Sequence, residues 1–225
     1  MNIRRSKTGV FGKGLVLAST SPYKKAQMDR LGIEYVTHAP EYQEQGVPEV
    51  PAHELVVIQA AGKAHSLAGV YPNHLIIATD QVAVTEGRIL LKPGSVSAAV
   101  DQLCALSGKS HQLLTGLAVF APALNRKERS LDICVLTMKA ISRKTAQRYV
   151  ALDDPVDCAG AYKFERRGVA LFERVDAQDP TAIQGLPLLR LSGLLNRFGV
   201  DVFDPLLGCD VENGGQMNGA ALFKT

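Results

Sequence analysis

The sequence predicts an α/β fold, and three stretches carry the prediction: GLVLASTSPYKKAQMDRLG at 14–32, YPNHLIIATDQVAV at 71–84 and CAGAYKFERRG at 158–168. In each, a short apolar run that reads as a buried strand ends in small residues and then delivers polar or charged side chains at its mouth. Those are Ser19, Ser21, Lys24 and Lys25 in the first stretch, Asp80 and Gln81 in the second, Lys163 and Glu165 in the third. Ligands of α/β sheets collect at such carboxyl ends, and these residue types suit phosphate.

The elements follow in order. Residues 15–19 read as a strand, and Pro22 stands where a helix can begin without losing an internal hydrogen bond; Ser21 is a natural cap and 23–31 carries that helix to Gly32. Residues 33–51 read as a short strand and then an acidic loop holding Glu41, Glu44 and Glu49 among prolines. Helical periodicity returns over 54–68 through Leu55, Ile58, Ala61 and Leu67. A strand at 75–78 ends in Thr79, Asp80 and Gln81, a hairpin over 82–91 turns at Glu86 and Gly87, and 97–107 reads as a helix with Leu103 and Leu106 inward. Strands at 110–120 and 131–139 are joined by a loop over 121–130, and Ser142 caps a helix running to about Leu152. A strand over 169–175 and a helix over 185–198, with Pro187 in its first turn, complete the pattern.

With 225 residues and 46% apolar content the chain can bury a core without covalent staples. The organisation expected is a basic N-terminal extension at 1–13, one compact domain of one or two lobes at 14–199, and a glycine-rich tail at 200–225. A net charge of +3 does not call for nucleic acid, and no basic tract or aromatic ladder suits one. The apolar run 113–124, broken by Thr115 and Gly116, is too short for a membrane span of about 20 residues. The N-terminus lacks the apolar core of a secretory signal, so the cytoplasm is expected. Cys104, Cys134, Cys158 and Cys209 match no zinc spacing and read as reduced thiols, and the 5 histidines show no ligand spacing.

Taken singly, each polar residue has a plain structural reading. Lys24 and Lys25 suit a solvated basic helix start, Asp80 a turn cap, Glu165 a surface ion pair, and Tyr23 and Tyr162 packing with satisfied hydroxyls. Their order changes that. LASTSPYKKAQMDRLG at 17–32, APEYQE at 39–44, GKAHSLA at 62–68, ATDQV at 78–82, LKP at 91–93, LTGLAV at 114–119 and the long run from Cys158 to Leu188 resemble, collinearly, the Maf family of nucleotide pyrophosphatases. Within it they are most similar to the branch that hydrolyses 7-methyl-GTP. The chain departs from the family pattern at Tyr23, Lys24 and Lys25, where arginines are usual, and at Gln43, Gly62, Ala78 and Leu91.

The resemblance implies a Maf/ITPase-like α/β fold: an elongated mixed sheet bent between two lobes, with flanking helices, a central cleft and a homodimeric assembly. It implies hydrolysis of a nucleoside triphosphate, with 7-methyl-GTP foremost, to monophosphate and diphosphate by metal-assisted attack of water. The alternatives are a dTTP/UTP pyrophosphatase of the same family and a nucleotide-binding regulator of cell division. The catalytic residues implied are Asp80, Gln81 and Lys92, and the phosphate-binding residues Ser19, Ser21, Lys24, Lys25, Lys63 and Lys163. Asp80 and Glu44 would hold Mg²⁺ or Mn²⁺, Glu165 would fix Lys163, and Tyr23 and Tyr162 would offer aromatic faces to a cationic base.

Overall fold

The structure, a computed structural model, describes residues 14–43 and 50–204. The expected N-terminal extension, the tail beyond 204, Cys209 and Glu44 lie outside the described residues. Strand β1 (Leu15–Ala18) leads into helix α1 (Pro22–Asp29), strand β2 (Tyr35–His38) and helix α2 (Ala52–Ser66). Then come β3 (Leu75–Thr85), β4 (Arg88–Leu90), α3 (Val96–Leu106), β5 (Ser110–Ala121) and β6 (Arg126–Met138). Helix α4 (Arg143–Asp153), β7 (Phe172–Ala177) and α5 (Leu188–Arg197) complete the series, with 3₁₀ turns at Pro122–Leu124, Arg167–Leu171 and Pro180–Gln184.

The strands form one seven-stranded sheet in the order β2-β1-β3-β5-β6-β7, with β4 on β3. β1 runs parallel to β2 and β3, whereas β3, β5, β6 and β7 are antiparallel neighbours, so the sheet is mixed. Strand alternation divides the core between its faces. Val16, Ala18, Ile76, Ala78, Ala118 and Phe120 meet Ala60 and Ala64 of α2 on one side. Leu15, Leu17, Leu75, Ile77, Leu117 and Val119 meet α5 on the other. Leu188, Leu191, Leu194 and Leu195 form the apolar stripe of α5, each burial contributing about 2 kcal/mol before entropy is counted. At the far end, α3, α4 and the segment around Tyr162 and Phe172 enclose Leu113, Cys134 and Leu136.

Four boundaries differ from the sequence expectation. β3 does not stop at Ala78, because β5 pairs with it from Ile76 to Val84 and carries the strand through the polar triplet. The loop expected over 121–130 is mostly strand: β6 starts at Arg126, after a 3₁₀ turn closed by Asn125 at φ 45°. Residues 169–171 belong to a 3₁₀ turn, and β7 starts only at Phe172. The helix expected from 185 begins at Leu188, because Gly185 at φ 84° ends the preceding turn and Pro187 caps α5 from outside it. Among the described residues no helix is long and apolar enough to cross a membrane, and Cys104, Cys134 and Cys158 are free thiols.

Candidate active site

The sheet has a gap in one edge. β1 pairs with β3 only at Leu75, Ile76 and Ile77, and β4 only at Ala83, Val84 and Thr85. Among the described residues, positions 78–82 of β3 therefore have a strand partner only on the β5 side. This is also where β1 ends and hands the chain to α1, so small residues, a helix start and a bare strand edge converge.

Asp80 stands in that gap, in the middle of β3, rather than at a strand end as the sequence suggested. Its Oδ1 accepts from Lys63 Nζ at 2.6 Å, and the two side chains keep 13% and 12% exposure. Lys63 reaches it from α2, and α2 lies close because position 116 is glycine. A Cβ on Gly116, which pairs with Asp80 across the sheet, would stand 2.2 Å from the Val56 carbonyl oxygen of α2. Gly62, next to Lys63, is covered by the Tyr42 ring, which fills the space a side chain would take.

The N-terminus of α1 faces the same gap. Ser21 caps the helix by accepting from the Lys24 N–H at 3.5 Å, and Ser19 Oγ accepts from the Ser21 N–H at 3.1 Å. Lys24 Nζ donates to Thr79 O at 2.8 Å, within the 78–82 stretch. Its aliphatic stem lies against Gly185, where a Cβ would stand 3.3 Å from Lys24 Cε. Lys25 is otherwise engaged: it pairs with Asp29 at 3.3 Å on the exposed side of α1, one turn on.

The 158–168 segment brings the third cation. The Lys163 N–H donates to Tyr149 Oη at 2.8 Å, and Gly168 packs against the Lys163 carbonyl so closely that a Cβ would meet it at 2.4 Å. Its ammonium pairs with Asp157 at 3.4 Å and has the Tyr23 hydroxyl as a neighbour. Burial disfavours that ammonium, but the Tyr23 hydroxyl and the Asp157 charge outweigh burial and hold it above the usual lysine range. Lys92 is exposed, in a segment held by Gln102 Nε2 donating to Leu91 O and by the Gly94 N–H donating to Val156 O.

Three sequence expectations need correction. Gln81, expected to be catalytic, points to the face of β3 opposite Asp80, since alternate residues of a strand point to opposite sides. Its amide donates to Thr115 Oγ1 at 2.8 Å and Ala182 O at 2.7 Å, which ties β3 to β5 and to the turn at 180–184. Tyr162 is core, 5% exposed, with its hydroxyl on His111 Nε2 at 2.8 Å, and burial raises its phenol well above the usual range, so it offers no face to a nucleotide base. Glu165 is exposed, and the carboxylate paired with Lys163 is Asp157.

Sequence reasoning missed Asp157, Thr79, Thr115, Tyr149 and Gly185. Thr79 Oγ1 donates to Gly185 O at 2.7 Å, and Asp179 accepts from the Thr181 and Arg190 N–H groups at 3.0 Å, so the 179–190 segment is fastened to the sheet beside Lys24. Buried Asp132, opposite Thr115 in the sheet, adds an ion pair to Arg190 at 3.3 Å. The TG pair at 115 and 116 was the one available signal for this arrangement.

The family model described as Maf-like protein matches residues 14–198. A 7-methyl-GTP pyrophosphatase of Syntrophotalea carbinolica is 45% identical over 193 residues, covering 84% of this chain and 97% of that one. Proteins of the same name from Pseudoalteromonas atlantica and Pseudomonas aeruginosa are 42% and 40% identical, over 84% of this chain and 97% and 98% of theirs.

Proposed function

The chain belongs to the Maf-like protein family, and on that premise we propose that it is a cytoplasmic nucleoside triphosphate pyrophosphatase whose substrate is 7-methyl-GTP. The observation that carries the proposal is the Lys63–Asp80 pair at 2.6 Å in the sheet gap, flanked by the capped start of α1 and by Lys24. A carboxylate oriented by a lysine can take a proton from water as that water attacks the α-phosphorus. The bond that breaks joins the α-phosphorus to the bridging oxygen, and diphosphate leaves with that oxygen. Ser19, Ser21 and the α1 N-terminus would cradle phosphate oxygens, and Lys24, Lys92 and Lys163 would neutralise the charge that the diphosphate carries away. In this reading Gln81 braces the catalytic strand through Thr115 and Ala182.

The residues present suit a divalent cation. Asp80 supplies a hard oxygen donor, and among the described residues no group of three or more His, Cys, Asp or Glu side chains builds a closed cage. Mg²⁺ and Mn²⁺ fit such an open site, binding through one or two carboxylates together with substrate phosphates and water. When bound, the ion supplies charge neutralisation on the phosphates. The second carboxylate assigned to it, Glu44, lies outside the described residues. The family likeness also supports a homodimer, which sedimentation equilibrium tests directly.

The deciding experiment measures diphosphate release from 7-methyl-GTP, GTP, dTTP and UTP. The highest kcat/KM is expected on 7-methyl-GTP. A preference for dTTP or UTP removes the substrate assignment, and no turnover on any of them removes the enzymatic one.

A further inference from the structure

Building on that reading, we propose that Asp157 is a positioning residue of the site, which with the Tyr23 hydroxyl holds the Lys163 ammonium in place at the cleft. The backbone of Lys163 is already pinned by Tyr149 and Gly168, but a long, flexible side chain separates that anchor from the ammonium. Asp157 fixes the far end: its Oδ1 lies 3.4 Å from Lys163 Nζ. The carboxylate is itself held in a short turn, where the Cys158 N–H donates to Pro155 O at 3.1 Å and Cys158 Sγ donates to Asp157 Oδ1 at 3.4 Å. Burial, then the Asp157 charge, push the Cys158 thiol up to about 12, so the sulfur remains a donor at neutral pH.

The same turn serves a second cation. Val156 O accepts from the Gly94 N–H at 2.9 Å, which anchors the segment that follows Lys92. Two of the lysines assigned to phosphate thus hang from one turn, and Asp157 is its charged residue.

The electrostatic consequence follows from burial. The Lys163 side chain is 11% exposed, and among the described residues the charged or titratable groups that face it are Asp157, Tyr23 and Cys158. Without the carboxylate, burial acts with less opposition and the ammonium surrenders its proton at lower pH. A neutral amine at this position attracts no phosphate.

The test is competitive acylation of lysines across a pH series, read by mass spectrometry, with exposed Lys144 as internal reference. The pH dependence of the rate reports the Lys163 titration apart from its accessibility. Because Asp157 is 61% exposed, its loss in Asp157→Asn should lower that titration by about one unit, the low end of the range for a close opposite charge. At pH 8.5 Lys163 then labels about tenfold faster. The basic limb of kcat/KM should move by the same amount, Asp157→Glu should restore it in part, and adding Lys163→Arg should abolish the shift, because a guanidinium does not titrate. An unchanged labelling profile in Asp157→Asn overturns the proposal, as does a limb that still shifts in the Lys163→Arg background. Wild-type protein that turns over no triphosphate overturns the function proposed above, and the labelling still decides the role of Asp157.

Discussion

Lys63 and Asp80 meet at 2.6 Å, each little exposed, although one rides on a helix and the other on a central strand. Gly116 makes the meeting possible, because the absence of a side chain there lets the α2 backbone settle onto β5 opposite Asp80. Charge, reach and close packing therefore act together at one point.

Asp80→Asn should leave nucleotide binding largely intact and lower turnover by about a hundredfold or more, the scale of losing a positioned base. Steady-state kinetics beside equilibrium binding separates the two effects. Turnover within a few-fold of the parent returns Asp80 to a structural role.

Gly116→Ala places a methyl group 2.2 Å from the Val56 oxygen, so α2 must lift off the sheet. Overpacking of this kind costs about 1–3 kcal/mol, and the displacement also draws Lys63 from Asp80. Urea unfolding should show the lost stability, and kcat should fall although residue 116 carries no chemistry. Parental stability and rate together defeat this account.

Tyr23→Phe removes the hydroxyl beside Lys163 and keeps the ring. It should lower kcat/KM on 7-methyl-GTP and GTP alike. Tyr23→Ala should cost the methylated nucleotide about a further tenfold, the value of roughly 1–2 kcal/mol of cation–π attraction once desolvated. Equal extra losses on both nucleotides take the ring out of base recognition.

His111 gives the fold a pH dependence of known sign. Burial pushes its imidazole down to about 4, and its Nε2 bonds the Tyr162 hydroxyl. The unfolded chain takes up this proton near pH 6.5, before the folded one does, so stability is full above that pH and declines as pH falls toward 4. The loss from this one group approaches about 3 kcal/mol. Urea midpoints at pH 7 and pH 4.5 should therefore converge in His111→Gln relative to the parent. Equal slopes in both proteins exclude His111 as the cause.

Chelation should abolish diphosphate release, and millimolar Mg²⁺ or Mn²⁺ should restore it, as expected for an open oxygen site. Full activity after exhaustive chelation leaves the lysines as sole neutralisers of the phosphates.

The sequence displayed the apolar strands and the serine caps at Ser21 and Ser142, because each rests on local chemistry, and it singled out Asp80 and Lys63 by their motif order but not their pairing. It misplaced the end of β3 because Thr79, Asp80 and Gln81 look like a loop. Only the length of the β5 partner shows that a polar triplet can lie inside a strand. Period-two alternation then separates Asp80 from Gln81, a consequence open to anyone who knows the strand continues. Tyr162 was misread because a buried hydroxyl is indistinguishable in sequence from one facing a ligand; its partner His111 is 51 residues away. Asp157 was illegible for a different reason: an exposed carboxylate gains meaning only from the ammonium beside it.

The open edge of β3 carries an obligation of its own. A strand that presents bare N–H and C=O groups is a template on which a second polypeptide can add a strand, and folded proteins guard such edges with charge. Lys24, with its ammonium on Thr79 O, sits where such an intruder would have to pair. The residue assigned to the nucleotide's phosphates thus also occupies, at Thr79 O, an acceptor that an added strand would need.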